Sequence, residues 1–214
     1  MATGCTPPEC LEDGFPAISP DGRQLAFRRI FGNTTPTSTG IVIAGVSGAD
    51  ADVVTNVPWS TIDTSPSWSP NGTEVVFARV QYTANVPGSA LYILVVATGD
   101  IRRLTPEGLA ASDPHWSSNG LIVFGTPIDT DNPTTSDVSV IAPDGTGLRN
   151  LTAGTSVAGL AATPVWAEGG TRIVFCHIDS RFAGEIWVMN ADGTDPQQVT
   201  AVVGFNAYPA VSPS

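Results

Sequence analysis

An all-β chain of repeated four-stranded antiparallel sheets is predicted by three observations. The first is a phrase that recurs: PAISPDGRQLAF from Pro16, PSWSPNGTEVVF from Pro66, PHWSSNGLIVF from Pro114 and PVWAEGGTRIVF from Pro164. A stub, PAVSPS, opens it a fifth time at Pro209, and the prolines stand 50, 48, 50 and 45 residues apart. The second is composition. With 22 glycines and 18 prolines in 214 residues, the chain has many turns and little room for long helices. The third is that the strand closing each phrase is continuously apolar, as in Val75-Val76-Phe77 and Ile173-Val174-Phe175. A sheet wet on one face alternates apolar and polar residues, so an unbroken run means that both faces are covered. Sheets of this size, repeated and covered on both faces, stack on copies of themselves around an axis, which is a β-propeller.

Each unit carries the same parts in order. A short strand around Ile18, Trp68, Trp116 or Trp166 comes first. A tight turn follows at Asp21-Gly22, Asn71-Gly72, Asn119-Gly120 or Gly169-Gly170, where glycine and Asx residues supply positive φ at low steric cost. The second strand ends at Phe27, Phe77, Phe124 or Phe175. The third reads IVIA, LYILVV, VSVIA or IWVM, and a brief fourth ends at Thr55, Thr105, Thr152 or Thr200. Four full repeats and the start of a fifth are expected after a flexible, Pro-rich leader at 1–13. Their approximate bounds are 14–62, 63–110, 111–160, 161–204 and 205–214. An open arc of such sheets would expose faces that invite self-association.

Charge narrows the function classes. Twenty acids against nine bases leave a net charge of −11, and every base is an arginine. Without lysine there is no Schiff-base chemistry and no P-loop lysine, and a sparse basic surface argues against nucleic acid. No apolar run reaches the length of a membrane span. Of three cysteines, Cys176 is expected to be a buried thiol. Cys5 and Cys10 either bridge, which would imply an oxidising compartment, or Cys5 is a lipid anchor, since MATGC resembles the end of a bacterial lipoprotein signal.

Meander topology gathers the long connections at one end of the sheets, where binding is expected. The candidate ligand face comprises Arg28, Arg29, Trp59, Tyr82, His115, His177, Arg181 and Phe182. No catalytic residues are assigned: G-x-S-x-G and H-E-x-x-H do not occur, and the two histidines fall in different units. Oxygen ligands for calcium are offered by Asp129 and Asp131 in DTDNPTTSD, and by Asp63 and Asp113 in adjacent units.

The W-S-P-D/N-G phrase, the apolar-Phe strand, IWVMNADGT and a closing Val-Thr or Leu-Thr together resemble the WD-like repeat of TolB-like β-propellers. The resemblance runs over nearly the whole chain, with IWVMNADGTDPQQVT from Ile186 to Thr200 as its best-matching stretch. It implies a bacterial protein in the periplasm or at the cell surface, and a non-enzymatic module binding a protein, peptide or glycan. It also leaves open a metal-assisted polysaccharide lyase or hydrolase, or the propeller part of a larger peptidase.

Overall fold

The computed structural model describes residues 9–48, 50–82, 87–127, 136–155, 157, 161–178, 184–201 and 209. They form four antiparallel sheets and one short 3-10 turn, in chain order. The first sheet runs β1 (Cys10–Ile18), β2 (Gln24–Gly32), β3 (Pro36–Gly45) and β4 (Asp52–Val53), with β5 (Val57–Pro58) added to β3. The second is β6 (Thr61–Trp68), β7 (Glu74–Tyr82), β8 (Pro87–Val95) and β9 (Ile101–Arg103). The third is β10 (Ser112–Trp116), β11 (Ile122–Pro127), β12 (Ser136–Ile141) and β13 (Arg149–Asn150). The fourth is β14 (Ala161–Ala167), β15 (Arg172–Ile178), β16 (Gly184–Asn190) and β17 (Gln197–Gln198). The chain divides into two compact units of two sheets each, Met1–Leu104 and Thr105–Ser214.

Several strands outrun the sequence expectation. β1 begins at Cys10, so residues 10–13, expected in the leader, are strand. Pairing continues to Cys10↔Phe31, and Glu12 and Asp13 form ion pairs with Arg28 and Arg29. Arg28 and Arg29, expected in a loop, therefore stand on β2, while Asp63 and Asp113 stand on β6 and β10.

The repeated phrase has one local explanation in three sheets. Ser19 Oγ donates to Asp21 Oδ1 at 2.6 Å and accepts from the Gln24 N–H at 2.9 Å. Ser69, Asn71 and Glu74 repeat these contacts at 2.8 and 2.9 Å. The contact that three sheets share is an Asx Oδ1 accepting the N–H two residues on: Arg23 to Asp21 and Thr73 to Asn71 at 3.1 Å, and Leu121 to Asn119 at 3.0 Å. The fourth sheet replaces this turn with Glu168–Gly170, all three residues at positive φ. There Asn119 Nδ2 donates to the Gly170 carbonyl at 2.8 Å, and a Cβ on Gly170 would lie 2.3 Å from Ser117 Oγ. Only glycine fits so close an approach.

Closing threonines act as clasps. Thr55, Thr152 and Thr200 accept, through Oγ1, the backbone N–H of Ile41, Val138 and Ile186 at 2.8, 3.0 and 3.0 Å. Each hydroxyl satisfies a donor on the third strand where the fourth ends. Another shared feature lies in the first strands. Phe15, Ser65, Asp113 and Thr163, each just before the phrase's proline, have φ of 55°, 51°, 48° and 48°. The pairing register slips at the same place in all four sheets, so each first strand carries a left-handed bulge.

Packing between neighbours follows one rule in both units. In the first, β6 crosses β1, β2 and β3; in the second, β14 crosses β10, β11 and β12. The Trp68 indole N–H donates to the Ala17 carbonyl at 3.0 Å, and the Trp166 backbone N–H donates to His115 Nδ1 at 3.1 Å. The phenylalanines Phe77 and Phe175 are fully buried in these cores.

Candidate functional site

At the loop end of the first unit, two exposed aromatic residues stand at neighbouring backbone positions. The short β5 strand pairs with Ser38 and Thr39 of β3 and carries the chain into a turn at Trp59-Ser60. That turn is fixed from both sides: the Trp59 N–H donates to the Thr37 carbonyl at 3.0 Å, and the Tyr82 N–H to the Ser60 carbonyl at 2.8 Å. Trp59 and Tyr82 thus sit at neighbouring backbone positions, 40% and 56% exposed. Aromatic residues are enriched among those that dominate binding energy at interfaces.

The arginines assigned to the same face are committed to carboxylates. Arg28 pairs with Glu12 and lies 4.8 Å over the Phe15 ring. Arg29 holds Asp13 through Nε and Nη2, both at 2.7 Å, and covers the Phe27 ring at 5.1 Å. The Asp13 hydrogen bonds raise the Arg29 pKa further above its ordinary value, so it stays charged.

Asp63, expected as a metal ligand, is fully buried with both oxygens bound by Arg79, at 2.6 and 2.8 Å. Arg79 in turn covers Phe77 and Tyr92. Sequence reasoning missed Arg79, although the signal was present. An acid three before the proline and an arginine thirteen after it recur as Asp13…Arg29 and Asp63…Arg79. In the third and fourth units those positions hold Ala111 with Thr126 and Ala161 with His177, so the pair cannot form there.

In the second unit His115 stands on β10 and accepts the Trp166 N–H. Burial pushes its pKa down to about 4, which keeps the ring neutral and able to accept. His177, on β15, lies 5.3 Å from the Trp187 ring at a 47° tilt. Asp113 sits at the left-handed bulge of β10. Arg181, Phe182, Asp129 and Asp131 lie outside the described residues, as does Cys5. Cys10 is disulfide-bonded, and Cys176 is a buried thiol outside any disulfide. Among the described residues, no three His, Cys, Asp or Glu side chains are grouped to hold a metal. No helix among them is long and apolar enough to cross a membrane.

No family model matches the chain. A Protein TolB homolog of Chlorobium luteolum is 31% identical over 122 residues, which is 57% of this chain and 25% of that protein. The chain thus spans about a quarter of the curated relative's length. Among solved structures, TolB from Acinetobacter baumannii superposes with a TM-score of 0.69 at 16% identity, covering 92% of this chain and 45% of that one. A puromycin-hydrolyzing peptidase of Mycobacterium tuberculosis superposes at 0.66 and 14% identity, covering 88% and 28%. At these identities the likeness concerns architecture, and one architecture serves both binding proteins and enzymes. Four antiparallel sheets and almost no helix among the described residues, with this set of relatives, establish the conclusion: the chain has a TolB-like β-propeller fold.

Proposed function

We propose that the chain is a non-enzymatic interaction module whose loop end binds a protein, peptide or glycan. The observation that carries the reading is the exposure of Trp59, on a turn hydrogen-bonded to β3 and β7, and of Tyr82, at the adjoining end of β7. Preformed aromatic anchors need little ordering on binding, so their contact area converts efficiently into affinity. Arg28 and Arg29, the arginines of the candidate face, are paired with Glu12 and Asp13, which leaves the aromatic residues as its principal contact chemistry. The disulfide at Cys10 fits an oxidising compartment, and with the TolB likeness it supports a periplasmic or extracellular site of action.

The test is a screen of the purified chain on peptide and glycan arrays, beside the Trp59→Ala/Tyr82→Ala double variant. Binding by the wild type that the variant loses, with thermal unfolding unchanged, is the expected result. Equal binding by both proteins removes the aromatic pair from the account. Turnover of puromycin or of a polysaccharide by the chain alone overturns the non-enzymatic reading.

A further inference from the structure

The rule that packs sheet on sheet inside each unit also identifies two faces that lack a partner sheet among the described residues. In the first unit, Trp68, Val75, Phe77 and Leu94 of the second sheet share a core with Ala26, Ile41 and Ile43 of the first, and Val54 packs against it. In the second unit, Trp166, Ile173, Phe175 and Met189 of the fourth sheet do the same with Val123, Val138, Val140 and Leu151 of the third. These are the same repeat positions in both cases. Each sheet therefore has a forward face, built on the phrase's Trp and Phe, and a back face of smaller aliphatic residues. Forward packs on back.

The first sheet has no described sheet before its forward face. Ile18, at the position of the three buried tryptophans, is 52% exposed, whereas Trp68, Trp116 and Trp166 are 7% exposed or less. Leu25 and Phe27 are half-buried, although Phe77, Phe124 and Phe175 are fully buried. Val42 and Ala44, further across the same face, are already buried, so the uncovered strip runs along β1 and β2. The fourth sheet shows the converse defect on its back face. Val174, Ile186 and Val188 are half-buried, while Ala26, Ile41 and Ile43 are buried. Val199, at the position of Leu104 and Leu151, is 62% exposed, while those two are buried.

We propose that these faces dock two copies of this chain head to tail, the forward face of one copy's first sheet on the back face of the other's fourth. The choice of occupant rests on continuity with the interfaces inside each unit: wherever a forward face of this chain is covered there, a back face of the same repeat covers it. The two uncovered strips are unlike and complementary, so the contact is heterologous rather than two-fold. Apolar area that the repeat buries twice within the chain would be buried again between chains.

Sedimentation velocity and light scattering across two decades of concentration test this. The wild type is expected to gain mass with concentration. Ile18→Arg and Val199→Arg alter exposed positions, so circular dichroism should stay native, and each variant alone should associate at least about tenfold more weakly. Mixed together, the two variants retain one intact forward face and one intact back face, and should form a dimer that grows no further. A wild type that stays monomeric at the highest concentration overturns the proposal. So does association unchanged in either variant, or a mixture that stays monomeric. Ile18→Thr and Val199→Thr supply a milder pair with the same readout. None of these substitutions touches Trp59 or Tyr82, so the outcome is independent of binding at the loop end.

Discussion

Asp63 and Asp13 make nearly the same bidentate contact, with Arg79 and Arg29, in very different surroundings. Asp63 is fully buried and its bonds are 2.6 and 2.8 Å; the Asp13 side chain is 47% exposed with both bonds at 2.7 Å. Identical geometry should therefore carry unequal weight. Removing one partner of a buried pair costs about 3–5 kcal/mol, and the partial exposure of Arg79 lowers this to roughly 2–4. An exposed pair is worth about 0–1 kcal/mol. Denaturant unfolding of Asp63→Ala and Asp13→Ala should separate by this margin, and equal losses would show that burial is not the deciding factor.

His115 predicts a pH dependence. Its folded pKa is lowered by burial from 6.5 to about 4, while the unfolded chain takes up the proton near 6.5. The unfolded state thus binds more protons between those values, and stability falls as the pH falls through that window. The contribution is complete above about pH 6.5 and lost by about pH 4, and amounts to roughly 2–4 kcal/mol. His115→Gln keeps an acceptor for the Trp166 N–H and has no proton to gain. Its stability should change less than the wild type's over that range, by urea midpoints taken at each pH.

Thr152 is a closing threonine whose hydroxyl is used twice. Its hydroxyl accepts from the Val138 N–H and donates to Asp137 Oδ1 at 2.8 Å, and the residue is fully buried. Thr152→Val keeps the shape and strands a buried donor, which costs about 1–3 kcal/mol. Thr152→Ser should recover most of that loss in thermal melts. If it does not, the methyl group rather than the hydroxyl holds the strand.

The bulge before each proline makes an opposite prediction. Thr163 is β-branched, sits at φ 48° and buries an Oγ1 with no hydrogen-bond partner. Left-handed backbone costs a non-glycine residue about 1–2 kcal/mol. Thr163→Gly relieves both defects and should raise the stability by about 1 kcal/mol, net of the added chain entropy. A lower melting temperature would mean that the bulge needs its side chain.

Repeat spacing and turn chemistry made the architecture legible, because the Asx-Gly turn encodes a local hydrogen bond that three of the four sheets share. Strand ends were less legible. Glu12, Asp13, Arg28 and Arg29 are polar and look like loop residues one by one, yet paired across β1 and β2 they continue a strand. Asp63 shows the same limit: a carboxylate in sequence does not declare whether its counter-charge is a metal or a guanidinium sixteen residues on. Trp59 and Tyr82 were both named from the sequence as candidates for the ligand face. Their adjacency was not, because it depends on the β5 pairing, which breaks the four-strand pattern.

The outer strands β4, β9, β13 and β17 are two or three residues long. A rim so brief, ended in three of the four sheets by a side-chain hydroxyl that takes up a neighbouring amide, offers an incoming chain almost no ladder to extend. Cross-β fibril growth is thereby discouraged at the periphery even in a molecule rich in valine and isoleucine, and a preparation held for weeks should stay silent to amyloid dyes.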